Sequence, residues 1–192
     1  TGRNENNSSS LYLYSPTQTT LTQINQQLNN ATPAVSAQGT SAIFVQGHSS
    51  ASNNLPVYLF TTGNGQFEVT AASLHQNTVM PVVDRSGSRA VLNGTQVRGV
   101  QFGLFGTLAT STAAVALKSD GTRAYAYDPT AGGIVTYNTS ADNEEDPYPT
   151  VGTTTPIAGD PGSGVKMTIS PDGRTLFLAG SARIVVQPTP TF

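Results

Sequence analysis

Ser170-Pro171-Asp172-Gly173-Arg174-Thr175-Leu176-Phe177-Leu178 decides the reading of the chain. Gly173 suits the positive φ of a tight turn, and the short polar side chains before it cap turn amides. Thr168-Ile169 before the turn and Leu176-Phe177-Leu178 after it form the two arms of a hairpin. The same pattern recurs three times upstream: Ala34 to Val45 around Gly39, Val82 to Leu92 around Gly87, and Ala116 to Tyr127 around Gly121. These turn glycines are 48, 34 and 52 residues apart. One hairpin cannot bury its own face, so four in series, each followed by more strand material, describe a repeat architecture.

Outside these hairpins the chain keeps the same habit. Leu11-Tyr12-Leu13-Tyr14, Val57-Tyr58-Leu59-Phe60 and Ile184-Val185-Val186 are short β-branched or aromatic runs bounded by turn formers. Regular interruption of this kind predicts an all-β domain. Residues 18 to 30 carry Leu21, Ile24 and Leu28 at a helical period, but Thr19 to Ile24 alternates equally well as a strand, and we read a strand. Residues 1 to 10 are polar and without periodicity, and read as a flexible N-terminal segment.

Composition narrows the class further. Of 192 residues, 27 are Thr, 18 Ser, 13 Asn and 11 Gln, while charged residues make up only 10% and the formal net charge is -2. Helical bundles and coiled coils need Glu, Lys, Leu and Ala in bulk. A nucleic-acid partner calls for a basic surplus, which is missing. No apolar run reaches the roughly 18 residues of a membrane helix. Zero Cys removes thiol chemistry and disulfides. Scarce Lys with abundant Thr, Asn and Gln points to an exported bacterial protein, extracellular or periplasmic. Sequons at Asn30, Asn93 and Asn138 read as chance in so Thr-rich a chain.

Ser170 to Leu178 resembles the S-P-D-G-[KR]-x-L-[YF]-V unit of the bacterial YVTN, lactonase-like and WD40-like β-propeller repeats. Lys118 to Thr139 is similar over a longer stretch, running through Asp128-Pro129-Thr130-Ala131-Gly132-Gly133 into a third strand. Gln38-Gly39 departs from the pattern in lacking the Asp, and Arg85-Ser86-Gly87 shifts it to Asp84. The resemblance implies four-stranded antiparallel blades with the glycine turn between the first and second strands. Blades then fall at about 33–72, 79–110 and 113–158, with a partial one at 165–187 and a terminal strand pair at 11–26. Together 11–190 form one propeller-like repeat domain of about four blades and seventeen strands. That is a closed four-bladed ring with a strand to spare, or part of a larger ring.

Few residues suggest chemistry. Asp142, Glu144, Glu145 and Asp146, with Asn143, lie in a long connection; they read as a solvated acidic loop or, alternatively, as oxygen ligands for Ca²⁺. No other cofactor is expected. His48 and His75 are the two imidazoles, placed near loop ends without a third partner at defined spacing. Thr1 as an N-terminal nucleophile would need a structured pocket. Asp84, Asp120 and Asp172 read as turn caps, and Gly39, Gly87, Gly121 and Gly173 as turn residues. Tyr12, Tyr14, Tyr58, Tyr125, Tyr127 and Tyr137 alternate along strands and read as packing between blades. Arg89, Arg123 and Arg174 recur just after the turns and read as hydrogen-bonding groups there. The expectation is a non-catalytic binding or scaffold domain meeting a protein, glycan or cell-envelope partner. The rivals are a propeller hydrolase, lactonase or cofactor-dependent dehydrogenase, and a structural segment whose edges take a second copy or the missing half of a ring.

Overall fold

The computed structural model describes backbone and side chains over 81–92, 94–99, 101–108, 112–141 and 147–192, with a few positions in 33–59. For the other strands before residue 76 it describes the backbone. Every regular element among these residues is a β-strand. The first sheet holds β1 (Gly2–Arg3), β2 (Ser8–Leu13) and β3 (Thr22–Asn29). Its first two strands, β1 and β2, draw on residues 1–10, expected to be a flexible segment, and Gly2 and Arg3 pair with Ser10 and Ser9. The ambiguous 18–30 stretch is strand, as the pairing of Leu11 with Ile24 and Tyr12 with Gln23 requires.

Three four-stranded sheets follow. The second holds β4 (Thr32–Val35), β5 (Ser41–Val45), β6 (Asn54–Gly63) and β7 (Gln66–His75). The third holds β8 (Val82–Val83), β9 (Arg89–Leu92), β10 (Gln96–Gly99) and β11 (Leu104–Thr107). The fourth holds β12 (Ala114–Leu117), β13 (Arg123–Asp128), β14 (Gly133–Asn138) and β15 (Thr155–Pro156). The fifth has three: β16 (Lys166–Ile169), β17 (Thr175–Ala179) and β18 (Ile184–Pro188). Each sheet is antiparallel and meanders in chain order. The first strands of successive sheets are neighbours in space, β4 beside β8, β8 beside β12, and β12 beside β16. The sheets therefore fan out from an inner row of strands, the blade arrangement of a propeller.

Strand alternation sends side chains to both faces of a sheet, and among the described residues a separate apolar core fills each of the three gaps from the second sheet to the fifth. Between the second and third lie Val57, Leu59, Ala90, Leu92 and Phe102. Between the third and fourth lie Val91, Val97, Val115, Leu117, Ala124, Ala126 and Tyr137. Between the fourth and fifth, Ala114, Ala116, Tyr125, Tyr127 and Ile134 meet Met167, Leu176, Leu178 and Val185. Small residues sit on one face of β13 and tyrosines on the other, so its two gaps are filled by complementary volumes. Tyr148 closes the middle core from a distance: its amide donates to Thr107 O at 2.8 Å, and Thr150 bridges Tyr137. The segment 147–150 is thus wedged between the third and fourth sheets.

The fifth sheet breaks this rule. Leu176, Leu178 and Val185 are buried, but their alternates Phe177, Ile184 and Val186 are 38%, 69% and 57% exposed. Cross-strand pairing of Phe177 with Val186 and Ala179 with Ile184 makes these one apolar face. Among the described residues β18 has no neighbour on its outer edge.

Candidate functional site

The glycine turns join the first and second strands of the last three sheets. In the fifth, Ser170 N donates to Thr175 O and Gly173 N to Ser170 O, closing the turn with Gly173 at φ +73°. The Asp172 carboxylate accepts from Arg174 N at 3.1 Å and from the Ser170 hydroxyl. In the fourth, Gly121 has φ +70°, and Asp120 accepts from the amide and hydroxyl of Thr122 and from Lys118 Nζ at 2.9 Å. In the third the roles are exchanged. Gly87 has φ +80°, but the carboxylate, Asp84, stands at the first turn position, where the fifth sheet has Ser170. Asp84 accepts from the Ser86 and Ser88 hydroxyls and from Arg89 N, and it is buried. Gly39 lies outside the described residues.

Two further carboxylates do the same work. Asp128 accepts from Thr130 N and Ala131 N in the β13–β14 turn, and Asp160 from Gly162 N. All five aspartates whose side chains are described therefore cap turns. Asp142, Glu144, Glu145 and Asp146 fall outside the described residues, as do His48, Tyr14 and Thr1. His75 closes β7 opposite Asn54, at a strand end. Tyr12 and Tyr58 lie in β2 and β6. Tyr125 and Tyr127 pack towards the fifth sheet and Tyr137 towards the third.

Adjacent turns lean on one another. A side chain at Gly121 would place its Cβ 2.8 Å from Arg89 Cδ and 3.2 Å from Asp84 Oδ2. Arg89 stacks over Phe105 with its guanidinium carbon 4.8 Å from the ring centre. Two threonines, which sequence reading passed over, latch the turns to the third strand. Thr139 Oγ1 donates to Gly121 O at 2.7 Å, and Thr189 Oγ1 to Gly173 O at 3.0 Å. The available signal was their common place just beyond the third strand, 18 and 16 residues after the turn glycine.

Where the fourth and fifth turns meet the segment that follows β18, a cleft of about 370 Å³ opens between the two sheets. Lys118 and Arg123 line it from one side and Arg174 from the other; Thr136 forms part of it, and Thr189, Pro190, Thr191 and Phe192 close it. Arg123 Nη1 donates to Asn138 Oδ1 at 2.7 Å and to Thr122 O. Arg174 makes no side-chain hydrogen bond among the described residues, and its backbone amide serves Asp172. Burial raises the Tyr125 phenol above its ordinary pKa, against the pull of Lys118 and Arg123. The Asp120 carboxyl is held down at about 2: burial opposes ionisation, but the Thr122 and Lys118 hydrogen bonds outweigh it. At the opposite end of the inner strands a smaller cavity of about 110 Å³ is lined by Pro81, Val82, Ala114, Val165 and Met167, an apolar surface with Lys166 at its edge. Among the described residues no cluster of three His, Asp or Glu side chains is placed to hold a metal.

No protein-family profile matches the chain. No curated protein matches it. Solved structures do. Hydrazine synthase of Kuenenia stuttgartiensis matches with a TM-score of 0.59 and 14% identity over 90% of this chain and 63% of that one. A protein of Bacteroides uniformis, provisionally assigned as a 6-phosphogluconolactonase, matches with a TM-score of 0.56 and 18% identity over 90% of this chain and 57% of that one. The chain thus spans about three-fifths of the length of the structures it matches. At such identities the likeness is one of architecture, and it agrees with the fan of antiparallel sheets: the chain has a β-propeller-type fold.

Proposed function

We propose that the chain is a binding scaffold of an exported protein, with the cleft at the turn end of its last two sheets as the contact site. One observation carries this reading. The described aspartates are all spent on turns, and the groups left facing the cleft are cations, hydroxyls and an aromatic ring, which hold a ligand by charge, hydrogen bonds and contact. The Ser-Pro-Asp-Gly turn at 170–173 and its Lys-Ser-Asp-Gly counterpart at 118–121 support a place near the YVTN and lactonase-like propellers. In the lactonase reading the likeness to the Bacteroides protein carries over only as fold. Surface plasmon resonance against glycans and envelope extracts, run beside a δ-lactone hydrolysis assay, tests the choice. Saturable binding without turnover is expected; turnover at an enzyme's rate overturns it.

A second reading draws on the apolar face of the fifth sheet. Phe177, Ile184 and Val186 occupy positions that in the fourth sheet are covered by the next blade. On this reading the face and the β18 edge are occupied by other polypeptide, a second copy or further blades of a larger ring.

A further inference from the structure

We infer that the cleft between the fourth and fifth sheets takes an acidic saccharide, a sugar bearing a carboxylate. The inference rests on the binding reading above and names the ligand class of that site. Three cations from two different sheets converge there: Lys118, Arg123 and Arg174. Lys118 is partly neutralised by Asp120, and Arg123 is partly committed to Asn138. Arg174 feels the Asp172 carboxylate but makes no side-chain hydrogen bond among the described residues, which leaves its planar fork to grip a carboxylate through two parallel bonds.

A second observation is independent of charge. Thr136 is 2% exposed, lines the cleft, and its buried Oγ1 has no hydrogen-bond partner. Buried hydroxyls are almost always satisfied, so an orphan at a cleft wall marks a place for a partner from outside. Thr136 lies beside Tyr125 in the β13–β14 register, deep between the sheets. A bare oxyanion would meet the arginines but leave this hydroxyl, and the exposed Phe192 ring that also lines the cleft, without contacts. A sugar acid meets all three: its carboxylate faces Arg174, its hydroxyls reach the threonines, and its apolar ring face lies on Phe192. The volume of about 370 Å³ is within the range of small-ligand pockets.

Isothermal titration of the whole chain with a trigalacturonate, with the neutral galactose trimer, and with sodium sulfate tests this. Expected is saturable binding of the trigalacturonate, at least tenfold weaker binding of the neutral trimer, and sulfate weaker still. Affinity for the acid should fall as NaCl rises from 50 to 500 mM, through screening. Arg174→Gln, at an exposed turn position, should weaken the acid at least fivefold while leaving the melting temperature unchanged. Thr136→Val keeps the shape and should weaken both trimers. Equal affinity for acidic and neutral trimers, or an Arg174→Gln variant that binds as the parent does, overturns the inference and leaves the binding reading standing. Lactone turnover with no affinity for any of the three probes overturns both.

Discussion

At the scale of single residues, Gly121 and Gly173 separate two effects that a turn glycine combines. Both have positive φ, so alanine at either should cost about 1–2 kcal/mol through backbone strain. Around Gly173 a new Cβ meets open space, whereas at Gly121 it runs into Arg89 and Asp84 of the neighbouring sheet. Gly121→Ala is therefore expected to lose more stability than Gly173→Ala in urea denaturation, and equal losses would show that the turns do not lean on one another. Asp120 adds a pH dependence. Its folded pKa of about 2 lies below its unfolded value, so the stability it confers is present above about pH 4 and drains away as pH falls towards 2. Because the group is largely exposed the effect is small, and Asp120→Asn should flatten melting curves in that window alone. The glycines and aspartates were the most legible part of the sequence, since a turn is a local event written in adjacent residues. The shift of the carboxylate to Asp84 was legible too, and in the structure Asp84 accepts from Arg89 N as Ser170 Oγ accepts from Thr175 N at the matching turn position.

At the scale of elements, the strands were legible where apolar runs were dense and illegible where pairing is fixed from far away. Ser170 to Leu178 declares its hairpin. Gly2–Arg3 carries no apolar residue and Pro147–Thr150 only the lone Tyr148, and both are placed by pairing with Ser9, Ser10 and Thr107. The threonine latches belong to this class, and they are testable. Thr139 is fully buried and bonds Gly121 O, so Thr139→Val removes a donor from a buried carbonyl and should cost about 1–3 kcal/mol. The Thr189 bond is longer and half exposed, so Thr189→Val should cost less in the same melt. The cleft was invisible for a related reason: its cations come from two repeats, and no spacing along the chain links Lys118 to Arg174.

At the scale of the molecule, the two faces of the fifth sheet predict opposite outcomes from neighbouring substitutions. Leu178→Ala empties a packed site between sheets and should cost about 2–5 kcal/mol. Phe177→Ser removes an exposed ring, and stability measured at high dilution should change little. Association should respond the other way round. If the apolar face is covered by other polypeptide, the purified chain sediments above 19.9 kDa at low micromolar concentration, and Ile184→Lys with Val186→Thr returns it to a monomer. A compact monomer in the unsubstituted chain would defeat that reading and leave the binding reading intact. The blade count read from sequence depends on this same end of the molecule. Three complete sheets follow directly from the repeats, while ring closure is a property of surfaces that no single repeat encodes.

The serial arrangement of the cores has a consequence for how such a chain can change over generations. Each of the three described gaps is filled by its own set of residues, as Tyr125 and Leu178 fill the last one, and among the described residues no side chain belongs to more than one of these cores. Copying a gene segment that encodes one sheet therefore adds a whole sheet and a whole core, and disturbs only the seam where it is inserted. Selection can lengthen or shorten the array in units of one sheet while the cleft between the last two keeps its arginines and threonines.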